Sequence, residues 1–136
     1  MNARKIALAL SALAMCAGGA AAQNYPTKTV RMIVPYPPGG GNDALGRLFA
    51  QKLSEAWGQQ VIVDNRGGAA TTIGTALASR AVPDGHTLLL SSIASHAVSP
   101  VLYRNPGYDP IKDFAPVTLL AIAPMILGVN PSTPVN

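Results

Sequence analysis

Two glycine-rich segments of the chain have the composition of an anion-binding loop. Residues 36–43 read YPPGGGND, and residues 67–72 read GGAATT. Glycine has no Cβ, so a ligand can approach the backbone, and the unpaired N–H groups at a helix N-terminus attract carboxylates and phosphates. Thr71 and Thr72 add hydroxyl donors. Each segment alone is more typical of an ordinary strand-to-helix turn, with Thr71 as a plain N-cap; two such segments together favour a binding site.

The elements that must position these segments alternate between strand and helix. The predicted strands and helices span, in order, residues 28–35, 43–57, 60–64, 71–81 and 87–92. Asn42 is the expected N-cap of the first helix and Gly58 its end. This βαβαβ order predicts an α/β fold with a parallel sheet, in which ligands bind at the carboxyl ends of the strands. Both glycine-rich segments follow such strand ends.

The remainder of the chain is predicted to add one helix and two strands. The helix spans residues 94–102 and is broken near Pro100, and the strands span residues 117–123 and 125–130. The chain then stops without a helix that would complete the unit. The βαβαβ core is therefore expected to be incomplete.

Residues 1–22 are typical of a secretory signal peptide. Two basic residues start the segment, residues 6–15 are apolar, and three alanines precede a cleavage site between Ala22 and Gln23. The apolar run is shorter than the ~20 residues that a membrane-spanning helix needs. We therefore expect residues 23–136 in the periplasm, without a membrane span, as one domain or part of one.

Removal of residues 1–22 changes the cysteine content and the net charge of the chain. The only cysteine, Cys16, goes with it, and Met15 stands where lipoprotein processing requires a small residue, so lipid attachment at Cys16 is not favoured. Arg4 and Lys5 go too, which leaves 8 basic against 6 acidic residues and no basic run. Nucleic-acid binding is therefore not indicated.

A dinucleotide-binding pattern is the competing interpretation of the first segment. Residues 39–44 fit G-x-G-x-x-G/A after a strand, and Asp64 ends the next strand about 20 residues further on. The two prolines before the glycines, the negative charge of Asp43 and the export signal argue against it. An enzyme with a nucleotide cofactor stays as the alternative function.

Single polar residues give weaker signals. Asp43 is suited to bind a ligand's amine or simply to favour the helix dipole, and Tyr36 either packs in the core or covers a ligand. His96, which follows several serines at a strand end, is a candidate ligand contact, whereas His86 is expected to be exposed and idle. No G-x-S-x-G elbow or metal-ligand spacing occurs. We therefore predict no catalytic residue, no metal site and no cofactor.

The ordered motifs resemble the Bug-type extracytoplasmic solute-binding proteins associated with tripartite tricarboxylate transporters. The motifs are residues 34–43 (VPYPPGGGND), 63–74 (VDNRGGAATTIG), 83–89 (PDGHTLL), 95–97 (SHA), 100–103 (PVLY) and 108–117 (YDPIKDFAPV). The resemblance covers essentially all of the mature chain. Two departures are His86, where the family often has an aromatic residue, and Ala70 and Thr71, where a glycine pair is common.

This resemblance implies a non-enzymatic, monomeric periplasmic binding protein of the two-lobed Venus-flytrap type (type II). Such a protein captures a small mono-, di- or tricarboxylate and delivers it to membrane transporter subunits. The chain corresponds mostly to the first lobe, so a truncated product without function is a further alternative. The ligand-binding residues that the resemblance implies, through backbone amides and hydroxyls, are Tyr36, Gly39, Gly40, Gly41, Asp43, Gly68, Ala69, Ala70, Thr71, Thr72, Ser92 and His96.

Overall fold

The computed structural model describes residues 25–124, 126, 128–130 and 132. The strands are β1 (Val30–Val34), β2 (Val61–Asn65) and β3 (Thr87–Leu89). The α-helices are α1 (Gly41–Trp57), α2 (Thr72–Ser79) and α3 (Ser99–Leu102); a 3-10 turn (Ala69–Thr71) precedes α2, and a π-helix (Ala94–Val98) precedes α3. The predicted signal peptide, Cys16 included, lies outside the described residues.

Strand β1 is the centre of a three-stranded parallel sheet with the order β2-β1-β3. Val30, Ile33 and Val34 in this strand are completely buried. Phe49 and Trp57 of α1 pack against the same core cluster. A continuous apolar run is what a parallel strand covered on both faces requires. The predicted α/β fold with a parallel βαβαβ core is confirmed.

Helix α1 begins earlier than predicted. Its N-cap position is Gly40, and Asn42, the predicted N-cap, lies within the first turn. The Asp43 carboxylate folds back to accept the N–H of Gly39 at 2.8 Å, and the N–H of Ala44 donates to Gly40 O at 3.0 Å, so the hydrogen-bonded first turn already begins at Gly40. The predicted end is confirmed, because Gly58 adopts the left-handed conformation and donates its N–H to Ser54 O.

Strand β3 is shorter than predicted, since it ends at Leu89 rather than at residue 92. The N–H of Ser92 is bonded to Ser95 Oγ at 3.0 Å and is not available to a ladder. The predicted helix over 94–102 is present as the π-helix followed directly by α3, but the predicted break near Pro100 is wrong, because Pro100 lies in the first turn of α3. A proline is tolerated there because it needs no N–H donor at that position.

The two strands predicted over 117–123 and 125–130 are wrong for the residues that the structure describes. Residues 114–124, 126 and 128–130 have no regular secondary structure. Val117 is 83% exposed and Ile122 82% exposed. An apolar segment forms a strand only when a neighbouring strand supplies the hydrogen-bond partners, and within the described part of the chain none pairs with this segment.

His86 is not exposed, contrary to the prediction from its place in a turn. Its side chain is only 13% exposed. The ring lies 5.4 Å from that of Tyr25, which in turn packs edge-on against Trp57. The backbone N–H of His86 donates to Asp84 Oδ1 at 2.9 Å. The turn therefore folds the imidazole inward onto an aromatic cluster.

Candidate ligand-binding site

The parallel sheet brings the loops that follow its strands to one edge. We call residues 36–43 the first loop, 67–72 the second and 92–96 the third. The first two touch through backbone, since a Cβ on Gly67 would lie 2.9 Å from Pro37 N. Only glycine permits this approach. The predicted placement of the two glycine-rich loops at one edge is thus confirmed.

Hydroxyl groups join the third loop and the helix that follows it to the other two loops. Tyr36 Oη, in the first loop, lies 2.7 Å from Ser92 Oγ. From the helical segment that follows the third loop, Ser99 Oγ donates to Ala70 O in the second loop. The three loops therefore form one connected surface.

The first loop is held by the Asp43 carboxylate. Asp43 is 5% exposed and accepts the N–H of Gly39 at 2.8 Å, the Arg47 guanidinium at 3.0 Å and the side-chain amide of Asn65 at 3.0 Å. These bonds, that of Arg47 foremost, lower the pKa of Asp43 from 3.8 to about 2. Asp43 therefore joins the first loop to α1 and to the end of β2, and its acceptor capacity is used by these protein groups.

Gly40 and Gly41 lie where the first loop opens to solvent. A Cβ built on either residue meets nothing within 4 Å. Gly40 is the N-cap of α1, which has 17 residues, so the positive end of the helix dipole is directed at this open space. The backbone is thus accessible to an anion without displacement of other atoms.

The second loop contains a run of left-handed residues. Gly68 has φ 128°, Ala69 43°, Ala70 48° and Thr71 79°. For non-glycine residues this conformation costs roughly 1–2 kcal/mol each, so three in succession persist only if the surroundings hold them. Such strain is concentrated at functional sites, so this turn is a candidate for contact with a ligand.

Three hydroxyls hold the carbonyls of this left-handed turn. Thr72 Oγ1 donates to Ala69 O at 2.8 Å. Thr75 Oγ1 donates to Thr71 O at 2.9 Å. The third is the bond from Ser99 Oγ to Ala70 O. The carbonyls of the three non-glycine residues of the strained segment therefore each have a side-chain donor that fixes the peptide plane.

The orientation of these carbonyls sets that of the amides. A trans peptide points its N–H opposite to its C=O. The hydroxyls that bind Ala69 O and Ala70 O therefore turn the N–H groups of Ala70 and Thr71 away from those hydroxyls. Ala69 and Ala70 are exposed, and Thr71 and Thr72 are buried at the start of α2. Successive backbone amides of this kind make a concavity suited to an anion.

His96 is part of a serine network in the third loop. Its Nδ1 lies 2.8 Å from Ser91 Oγ and 3.1 Å from Ser95 Oγ, and its ring packs 4.9 Å from that of Phe114. Burial lowers the pKa of His96 below its ordinary value. The imidazole is therefore neutral near pH 7 and is suited to hydrogen bonding rather than to charge pairing.

Three of the residues that shape this edge were not among the sequence-predicted set: Asn65, Thr75 and Ser99. Asn65 donates to Tyr36 O at 3.2 Å as well as to Asp43, so it ties the end of β2 to the first loop. Its place directly after a predicted strand was a usable signal. Ser99 acts on a carbonyl 29 residues away, and the chain pattern gives no sign of that partner.

The Asp64 carboxylate, which a dinucleotide site would use to bind a ribose, is bonded to two arginines. Asp64 accepts from Arg31 Nε at 2.7 Å and from Arg66 Nε at 2.9 Å. A ribose contact would have to replace these charge-assisted bonds, which are stronger than neutral ones. The geometry thus gives the nucleotide alternative no support beyond the glycine spacing.

Other features of the described residues do not enlarge the site. A depression of about 470 Å³ lies near the amino ends of β1 and β3, among Lys28, Arg80 and His86, away from the loops. No group of three His, Cys, Asp or Glu residues within residues 25–124 has metal-binding geometry. The helices of the part described are too short or too polar to cross a bilayer.

Comparison with known proteins shows which family this chain resembles. A family model described as "Tripartite tricarboxylate transporter family receptor" matches residues 45–136. The protein BugT of Bordetella pertussis is 38% identical over 135 residues, which are 96% of this chain and 41% of BugT. A UPF0065 protein from the tcbD-tcbE intergenic region of Pseudomonas sp. (strain P51) is 41% identical over 129 residues, 93% of this chain and 38% of that protein. The chain thus spans about two fifths of the length of these relatives.

Solved structures share the fold. MatC from Rhodopseudomonas palustris, with bound malate, is 35% identical with a TM-score of 0.67 over 71% of this chain and 33% of that chain. The periplasmic binding protein BugD is 42% identical with a TM-score of 0.63 over 66% of this chain and 30% of its own. An R. palustris protein with adipate is 38% identical, with a TM-score of 0.61 over 63% and 29%. The predicted periplasmic-binding-protein fold is confirmed, and this chain corresponds to part of it.

Proposed function

The chain belongs to the tripartite tricarboxylate transporter family of receptors, as the motifs indicated, and we propose that its three loops bind a carboxylate group of a small mono-, di- or tricarboxylate. The observation that carries this proposal is the left-handed turn at residues 68–71. Its carbonyls are held by hydroxyls, and the N–H groups of Ala70 and Thr71 therefore point away from those hydroxyls, beside the start of α2. A carboxylate needs several such donors at one place.

The charge pattern of the edge supports an anionic ligand. Asp43, the acidic residue of the first loop, is neutralised by Arg47 and bonded within the loop. The N-terminus of α1 at Gly40 and that of α2 at Thr71 both lie at this edge, so two helix dipoles reinforce each other there. The ligand class is in line with the malate and adipate bound to the two R. palustris relatives.

The wider role follows from the family and is part of the same proposal. The protein acts outside the cytoplasm as a monomeric, non-enzymatic receptor, with residues 1–22 as its signal peptide and 23–136 as the opening part of its first lobe. It delivers the carboxylate to membrane transporter subunits and binds no nucleic acid. The family description supports the receptor role, and the periplasmic relatives support the location.

The sharpest test uses Gly40, because its Cβ position is open. Gly40→Asp and Gly40→Asn both place a good N-cap on α1 and should preserve or raise stability, by about 1 kcal/mol at most. They differ only in charge. Malate or adipate is titrated into the ¹⁵N-labelled chain, and the backbone amide shifts of residues 39–41 and 70–72 are followed.

We expect wild type and Gly40→Asn to respond to malate or adipate at these amides. Gly40→Asp should bind at least roughly tenfold more weakly, since its carboxylate lies where the ligand's charge must go. Equal dissociation constants for the Asp and Asn variants would remove this edge as the binding site. Amide shifts confined to residues far from the loops would do the same.

A further inference from the structure

Ser99 connects the helical segment after the third loop to the strained turn of the second loop. It is completely buried, and its Oγ donates to Ala70 O across 29 residues of sequence. Ser99 is the first residue of α3, yet its hydroxyl is directed at the second loop. The contact is therefore tertiary and independent of helix capping.

Ala70 is a residue of the turn whose conformation needs such a contact. Its φ and ψ are 48° and 49°, a conformation that an alanine rarely adopts. The carbonyls on either side are held by threonines of the adjoining α2, namely Thr72 for Ala69 O and Thr75 for Thr71 O. Among these three hydroxyls, Ser99 alone reaches the turn from a distant part of the chain.

We propose that Ser99 is a positioning residue for the carboxylate site: its hydroxyl holds Ala70 in the left-handed conformation and thereby orients the amides of Ala70 and Thr71. This inference rests on the proposed function of the turn.

The test compares Ser99→Ala with a matched loss of a hydroxyl elsewhere. Ser79→Ala is the control, since Ser79 Oγ also donates to a carbonyl, that of Ala76 at 3.0 Å, but at the far end of α2. Two readouts are taken on labelled protein: the ¹³Cα and ¹³Cβ shifts of Ala70, which report its backbone conformation, and the dissociation constants of malate and adipate.

We expect Ser99→Ala to move the Ala70 shifts away from left-handed values and to weaken binding of the probe by roughly tenfold. Ser79→Ala should change neither. Adding Ala70→Gly to Ser99→Ala should restore most of the affinity, because glycine adopts positive φ without a hydroxyl to hold it. A loss of packing alone would not be repaired by that second substitution.

Unchanged Ala70 shifts and unchanged affinity in Ser99→Ala would overturn the inference, and so would a loss that Ala70→Gly fails to repair. If Ser99→Ala does not fold, Ser99→Cys, which keeps the volume and weakens the donor, is judged by the same two readouts. If Ala70 moves in the variant but wild type shows no response to malate or adipate, Ser99 holds the turn as inferred and the proposed function fails.

Discussion

Asn65 Nδ2 donates to Asp43 Oδ1 at 3.0 Å, so the last residue of β2 is bonded to the first turn of α1. The same amide donates to Tyr36 O at 3.2 Å. One side chain thus ties both ends of the first loop to the strand that leads into the second loop. The Asn65 side chain is therefore expected to stabilise the whole carboxyl edge.

Replacement of Asn65 should lower the stability of the protein, because its hydrogen bonds to Asp43 and Tyr36 are lost. Asn65→Ala removes a donor from a buried carboxylate and should lower the free energy of unfolding by about 1–3 kcal/mol. Asn65→Asp keeps the shape and the Arg47 contact but faces two acceptors, Asp43 Oδ1 and Tyr36 O, and should cost more at pH 7. Urea unfolding at pH 7 measures both. A smaller loss for Asn65→Asp than for Asn65→Ala would contradict the assigned donor role.

Asp43 should make stability depend on pH below about 4. Hydrogen bonds from Arg47, the Gly39 amide and Asn65 lower its pKa in the folded state from 3.8 to about 2. A carboxyl whose pKa is lowered on folding contributes stability that is complete above its unfolded pKa and is lost as the pH falls through the folded value. The loss should therefore develop between about pH 4 and pH 2.

Asp43→Asn separates this effect from that of Asp84, whose pKa is also lowered to about 2, by Lys28 foremost. Unfolding of wild type and Asp43→Asn is followed by circular dichroism across this pH range. The difference in stability between the two proteins should shrink as the pH falls. A constant difference from pH 7 to pH 2 would show that the charge of Asp43 is not what holds the loop.

The alternation of strands and helices and the positions of the loops could be predicted because they depend on local pattern. The run of apolar residues that includes Ile33 and Val34 is long enough to mark a buried strand, and glycines mark the turns that follow. The N-terminus of α1 was misplaced because Asp43, in place of the predicted cap Asn42, accepts an N–H at the start of the helix, that of Gly39. The Asp43 carboxylate is held there by Asn65 and Arg47, and a local pattern does not include these contacts.

The candidate site was predictable only as a set of loops. The left-handed turn has alanine and threonine where positive φ favours glycine, so the residue types of this chain did not indicate its conformation; the usable signal was the glycine pair that is common in the family at Ala70 and Thr71. The conformation depends on hydroxyls such as that of Ser99, which the fold brings to it from distant sequence. Likewise, Ile73 and Leu77 have helical spacing but are exposed, while Gly74 and Thr75 are buried, because only small residues fit beneath α2.

Substitution by valine should change the stability of the protein differently at Thr71 and at Thr75. Thr75 Oγ1 donates to Thr71 O, whereas Thr71 Oγ1 is buried and has no partner among the described residues. Thr75→Val should therefore lower the free energy of unfolding by about 1 kcal/mol or more. Thr71→Val removes an unsatisfied hydroxyl and should leave stability unchanged or raise it by up to about 1 kcal/mol. Urea unfolding of the pair decides this; equal losses would mean that Thr71 Oγ1 has a partner in solution.

Gly74 should tolerate no side chain, since α2 lies directly on the backbone that leads into both glycine loops. A Cβ there would be 2.5 Å from Arg66 O and 2.9 Å from Pro35 Cα, and neither atom belongs to a flexible side chain. Gly74→Ala gains about 1 kcal/mol of helix propensity, but the clash should outweigh it and leave a net loss of about 1–3 kcal/mol. Gly41→Ala is the matched control in α1, because its Cβ meets nothing within 4 Å, and it should be neutral or slightly stabilising. Urea midpoints of the two variants should therefore move apart, and a Gly74→Ala protein as stable as wild type would mean that α2 does not pack this closely on the loops.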